Sequence, residues 1–117
     1  LVESRTVKVD TLAPVLSGLS DSTDPFHPRT GQTTMIAYTL SERSYITCRL
    51  YDSAGSHTVT LRNRKLLSEG SHGIVWDGKN GSGQYVPTGL YTYKIWVEDL
   101  AENHAQLYPA SGTVTVQ

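Results

Sequence analysis

The sequence predicts an all-β chain, and three observations carry that prediction. Apolar residues recur at every second position in several short runs, the period that sends one side chain inward and the next outward along a strand. Ten Gly and five Pro, together with many Ser, Thr, Asn and Asp, cut those runs apart at short intervals. No window holds apolar residues at a sustained helical spacing.

Taken in order, the elements read as follows. Thr6 to Val9 is a first candidate strand, closed by the extended joint Asp10 to Pro14, where Pro14 biases Ala13 away from helix. Val15 to Leu19 is a short strand, and Asp21 to Gln32, with Pro25 and Pro28, reads as irregular. In Thr34 to Leu40 the residues Ile36, Tyr38 and Leu40 share one face; in Tyr45 to Tyr51 the residues Ile46, Cys48 and Leu50 do. Asp52 to Gly55 is a turn, and Val59 and Leu61 resume the alternation. Leu61 to Leu67 has room for one helical turn. Ile74 and Trp76 mark another strand, followed by the turn cluster Asp77 to Gly83. Tyr91, Tyr93, Ile95 and Val97 line one side of a long strand, and Val114 and Val116 belong to a last one. About seven antiparallel strands with turns between them, in a chain of this size, predict an immunoglobulin-like β-sandwich. Residues 1–13 read as a linker or the end of a preceding repeat, and residues 14–117 as the sandwich.

Composition narrows the function classes. The 117 residues fit one domain. Ten basic against eleven acidic residues give a net charge of -1, without the basic excess of a dedicated nucleic-acid binder. No apolar run is long enough for a membrane-spanning helix. A single cysteine excludes an internal disulfide and a cysteine-rich zinc site. Lacking an initiator Met and a leader pattern, the chain is expected to be a segment of something longer.

Three segments carry a family resemblance. They are Asp24-Pro25-Phe26-His27-Pro28-Arg29-Thr30-Gly31 with the strand Ile36 to Leu40; Cys48 to Gly55, with its Tyr51-Asp52-x-x-Gly55 turn; and Gly73-Ile74-Val75-Trp76-Asp77-Gly78-Lys79-Asn80, then Gly83, then Gly89-Leu90-Tyr91-Thr92-Tyr93. Together they resemble the FlgD-like Ig family, named after the flagellar hook-capping protein. His27 stands where that family usually has Asn. The turn Asp99-Leu100-Ala101-Glu102-Asn103 is similar to one found in tandem bacterial surface Ig repeats. The resemblance implies a non-catalytic β-sandwich module of long secreted or surface proteins, also found at the ends of secreted enzymes.

The motif residues have a structural reading of their own. Trp76 is expected in the core, Asp77 to accept backbone N–H bonds from the loop that follows, and Gly78, Gly81 and Gly83 to supply left-handed backbone. Gly89 starts the long strand that carries Tyr91. Phe26, between two prolines, is expected to plug one edge.

Candidates for chemistry are few. Asp77, Asn80 and Ser82 lack the alternate-position oxygen ligands of a calcium loop and read as a turn. Asp10, Asp99 and Asn103 could share a calcium ion if both ends of the module meet at a domain junction; the competing reading is a solvated turn. Cys48 reads as a core thiol. His27, His57, His72 and His104 lack metal-ligand spacing, and Arg62 to Lys65 reads as a solvated basic loop. One constellation is different. If Cys48 and Ile95 point inward, then Tyr45, Arg49, Tyr51, Lys94 and Trp96 point outward together on one sheet. Aromatic and Arg residues are enriched in binding hot spots.

The expected role is therefore a structural or adhesive module of a secreted or cell-surface bacterial protein, not an enzyme, with no cofactor beyond that calcium. Its partners would be neighbouring domains, a cell-wall glycan or another surface protein, not nucleic acid or membrane. An accessory domain of a secreted hydrolase is the alternative, and flagellar hook assembly a third.

Overall fold

A computed structural model describes residues 14–101, 103 and 108–117. The candidate strand Thr6–Val9, the linker reading of residues 1–13, Asp10 and His104 lie outside these. The described residues form seven strands: β1 (Leu16–Ser22), β2 (Thr34–Leu40), β3 (Ser44–Tyr51), β4 (His57–Leu67), β5 (Gly70–Trp76), β6 (Gly89–Asp99) and β7 (Ala110–Val116). They make two antiparallel sheets, ordered β1-β2-β5 and β4-β3-β6-β7, packed face to face as an immunoglobulin-like sandwich.

Alternation decides which face is inside. On β3, Ile46, Cys48 and Leu50 are fully buried; on β6, Tyr91, Tyr93, Ile95 and Val97 are; on β2 and β5, Ile36, Tyr38, Leu40, Ile74 and Trp76 meet them from the other sheet. Burial of each such side chain contributes about 1.5–3 kcal/mol. Cys48 behaves as the core thiol expected of it: burial pushes its pKa up to about 12, leaving almost no thiolate near neutrality.

Two stretches depart from the sequence reading. Leu61 to Leu67 holds no helical turn; it continues β4, whose register against β3 shifts at several points. Arg64 there takes φ 47, the extra-residue conformation of a bulge. The stretch Asp21 to Gln32 is only partly irregular, since Asp21 and Ser22 extend β1 and Pro28–Thr30 forms one 3-10 turn.

One pole of the sandwich is plugged by rings. Phe26 and Trp76 meet edge to face at 5.5 Å, and Trp76 meets Tyr91 at 5.4 Å, a geometry that suits the ring quadrupoles. Phe26 does more than plug an edge: its N–H donates to the Thr115 carbonyl and its carbonyl accepts from the Gln117 N–H. It therefore joins the β7 side of the large sheet as a short parallel bridge. Chain direction sets the two ends apart. Leu16 pairs with Leu40 at the pole opposite the rings, whereas Val116 pairs with Gly89 beside them.

Candidate functional site

The motif loop after β5 is built by its own side chains. Asp77 Oδ1 accepts from the Lys79 N–H at 3.1 Å, and Asn80 Oδ1 accepts from Ser82 and Gln84 at 2.9 and 3.1 Å. The Trp76 indole donates to the Lys79 carbonyl at 2.9 Å. Gly78 and Gly83 have φ near 80°, as expected, but Gly81 does not take a left-handed conformation. Gly89 opens β6, and the Tyr91 hydroxyl donates to the Pro87 carbonyl.

A cleft of about 410 Å³ lies between this loop and the β3–β4 turn, lined by Asp52, His57, Asn80, Leu90 and Tyr91 among others. Two of its titratable side chains are tied up locally. Asp52 Oδ1 accepts from Ala54 and Ser56, and His57 Nε2 is 2.8 Å from Thr60 Oγ1. It is a crevice between two turns.

Asp99 and Asn103 form a turn rather than an open ligand pair. Asp99 Oδ1 accepts from the N–H groups of Ala101 and Asn103, and Oδ2 from the Asn103 side-chain amide at 3.0 Å. Asp99 is 1% exposed while Leu100 beside it is 54% exposed, so the turn is a surface one anchored by a buried carboxylate, both of whose oxygens are engaged within it. Among the described residues no three His, Cys, Asp or Glu side chains cluster as metal ligands would.

The outward face of β3 and β6 assembles as the alternation argument requires. The two strands pair in the register Thr47 with Trp96, Arg49 with Lys94 and Tyr51 with Thr92, so directly opposed residues share a side. Tyr45, Arg49, Tyr51, Lys94 and Trp96 are all half-buried on this outer face. Each ring carries a cation. Arg49 lies 5.4 Å from the Trp96 ring centre, Lys94 4.8 Å from that of Tyr51 and Arg64 4.2 Å from that of Tyr45. Such contacts contribute about 0.5–1 kcal/mol each when exposed. Arg64 also pairs with Glu98, and its N–H donates to Thr47 Oγ1 at 3.1 Å.

Sequence reasoning placed Arg64 in a basic loop and missed it here. The bulged register of β4 erased the period that would have revealed its side. It also missed a polar seam between β1 and the large sheet. The Tyr93 hydroxyl donates to Asp21 Oδ1 at 2.7 Å, and Asp24 Oδ1 accepts from the Thr115 N–H at 2.9 Å. Burial, and then the neighbouring Asp24, raise the pKa of Asp21.

The profile of the FlgD Ig-like domain matches residues 27–99 of the chain. No curated protein sequence matches it. Among solved structures, PorZ of Porphyromonas gingivalis, an essential bacterial surface component of the type-IX secretion system, superposes with a TM-score of 0.53 at 15% identity. The match covers 86% of this chain and 11% of that one. The likeness is one of fold, and the chain spans a small part of that protein's length.

Proposed function

Because this chain belongs to the FlgD Ig-like domain family, we propose that it is a non-catalytic structural module of a secreted or cell-surface bacterial multidomain protein. In this reading it docks on a neighbouring domain of the same polypeptide through the outer face of its four-stranded sheet. The observation that carries the reading is where the family's signature residues are spent. Phe26, Trp76 and Tyr91 fill one pole of the core, Asp77 and Asn80 tie the loop, and Gly78 and Gly83 supply its backbone. Asn80 and Tyr91 also line the cleft, but there Asn80 Oδ1 holds the loop backbone and the Tyr91 hydroxyl is bonded to the Pro87 carbonyl.

An extracytoplasmic setting is supported by the fold shared with a bacterial surface component. The half-buried rings of the outer face and Arg49 beside them are the kind of side chain enriched at protein interfaces. A glycan reading is weaker, because each ring already has a cation over it where a sugar would stack.

Hydroxyl-radical footprinting tests the docking face. Trp96 is expected to be oxidised readily in the isolated 117-residue chain and protected in the parent polypeptide; equal oxidation in both sinks the docking reading. Trp96→Ala should weaken that contact by about 1 kcal/mol or more without unfolding the domain. Turnover of a polysaccharide, peptide or ester by the purified chain would count directly against a non-catalytic module.

A further inference from the structure

On the outer face, Arg49 and Lys94 stand directly opposite each other on neighbouring strands. Like charges in that position repel and destabilise a sheet. Among the described residues neither meets a carboxylate: the acidic side chain on this face, Glu98, is taken by Arg64. The row continues at both ends. Arg49 pairs with Thr60 on β4, and Lys94 pairs with Ser111 on β7. Thr60, Arg49, Lys94 and Ser111 therefore occupy one row of positions across all four strands, with backbones about 4.8 Å apart from strand to strand, and the two cationic heads lean from that row in opposite directions, Arg49 over Trp96 and Lys94 over Tyr51. The rings under Arg49 and Lys94 hold the two cations in place, which lowers the entropy lost when an anion binds.

We propose that this row is an anion site that takes the carboxylates of an acidic polypeptide segment, such as a loop or strand rich in Asp and Glu on a neighbouring domain. The proposal rests on the docking face argued above and names what that face recognises. Charge complementarity selects the partner. Among the described residues Arg49 and Lys94 meet no carboxylate of their own, and the planar guanidinium of Arg49 suits bidentate pairing with a carboxylate. At one end the Ser111 hydroxyl adds a donor for a chain lying across the strands; at the other the Thr60 hydroxyl is bonded to His57. A protein segment is favoured over an anionic glycan because the ring faces are covered by cations.

Titration of the 117-residue chain with a short oligoglutamate peptide, followed through the two indole N–H resonances, tests this. The Trp96 signal is expected to move while that of Trp76, which is 1% exposed and bonded to the Lys79 carbonyl, stays in place. Binding should weaken as salt rises. The double variant Arg49→Gln with Lys94→Gln should lose about tenfold or more in affinity, with an unmoved Trp76 signal certifying its fold. Oligogalacturonate and oligoglutamine serve as the other arms. Tighter binding of oligogalacturonate, equal binding of oligoglutamine, unchanged affinity in the double variant, or no binding of oligoglutamate each overturns the proposal. If Trp96 is nevertheless protected in the parent polypeptide, the docking face stands and only its acidic partner falls.

Discussion

Tyr38 carries a hydroxyl that the core does not use. The side chain is 2% exposed, its ring lies 5.8 Å from that of His72, and its oxygen has no hydrogen-bond partner among the described residues. Burial pushes the phenol up to about 12, so it stays neutral and unpaired. An unsatisfied buried polar atom costs about 1–3 kcal/mol. Tyr38→Phe keeps the ring and removes the oxygen, and is expected to raise the unfolding free energy by about 1 kcal/mol in urea denaturation; a loss of stability would show that the hydroxyl is satisfied after all. At this scale the sequence was informative about side and silent about satisfaction. Alternation placed Tyr38 inward, but no pattern of residue types says whether a hydroxyl will find a partner there.

The loop after β5 shows what a single element demands of its residues. Gly78 and Gly83 share a left-handed conformation, yet their surroundings differ. A Cβ on Gly78 would sit 2.3 Å from the Cβ of Pro28, whereas one on Gly83 would meet nothing within 4 Å. Gly83→Ala should therefore cost only the backbone strain, about 1–2 kcal/mol. Gly78→Ala should cost clearly more, at least about 3 kcal/mol, since Pro28 and the ring plug beneath it must also shift. Thermal unfolding of the two variants side by side checks this, and equal losses would refute the contact. Legibility varied among elements for the same physical reason. Strand β2 kept an unbroken period of two, and its bounds were read from the sequence as Thr34 to Leu40. Strand β4 did not: its register shifts put Arg62, Asn63 and Arg64 out of phase, and a basic run interrupting an alternation looks like a loop. The outer face was legible because β3 and β6 lack such shifts against each other. Arg64, which completes it from β4, was not.

For the molecule as a whole, the two sheets are laced together along the β1–β7 side by Asp21, Asp24, Tyr93 and Thr115. Nothing in the sequence foretold this lacing, because it joins residues far apart in the chain. It makes stability depend on pH. Burial and then Asp24 raise the Asp21 pKa above its ordinary value of 3.8, so the folded chain holds that proton more tightly than the unfolded one. The contribution is complete below 3.8 and is lost as pH rises through the raised folded value. Asp21→Asn keeps an acceptor for Tyr93 and abolishes the titration. Its urea midpoint should fall less than that of the parent chain between acid and neutral pH; parallel curves would refute the assignment. The placement of Leu16 and Val116 at opposite poles has a mechanical consequence. Tension applied through the first and last strands runs along the strand axes. The β6–β7 ladder from Gly89 to Ile95 is then loaded in shear, every rung at once, instead of being peeled open from one end. A string of such units would lengthen by a full sandwich with each copy and would yield to stretch only when a whole ladder gives way.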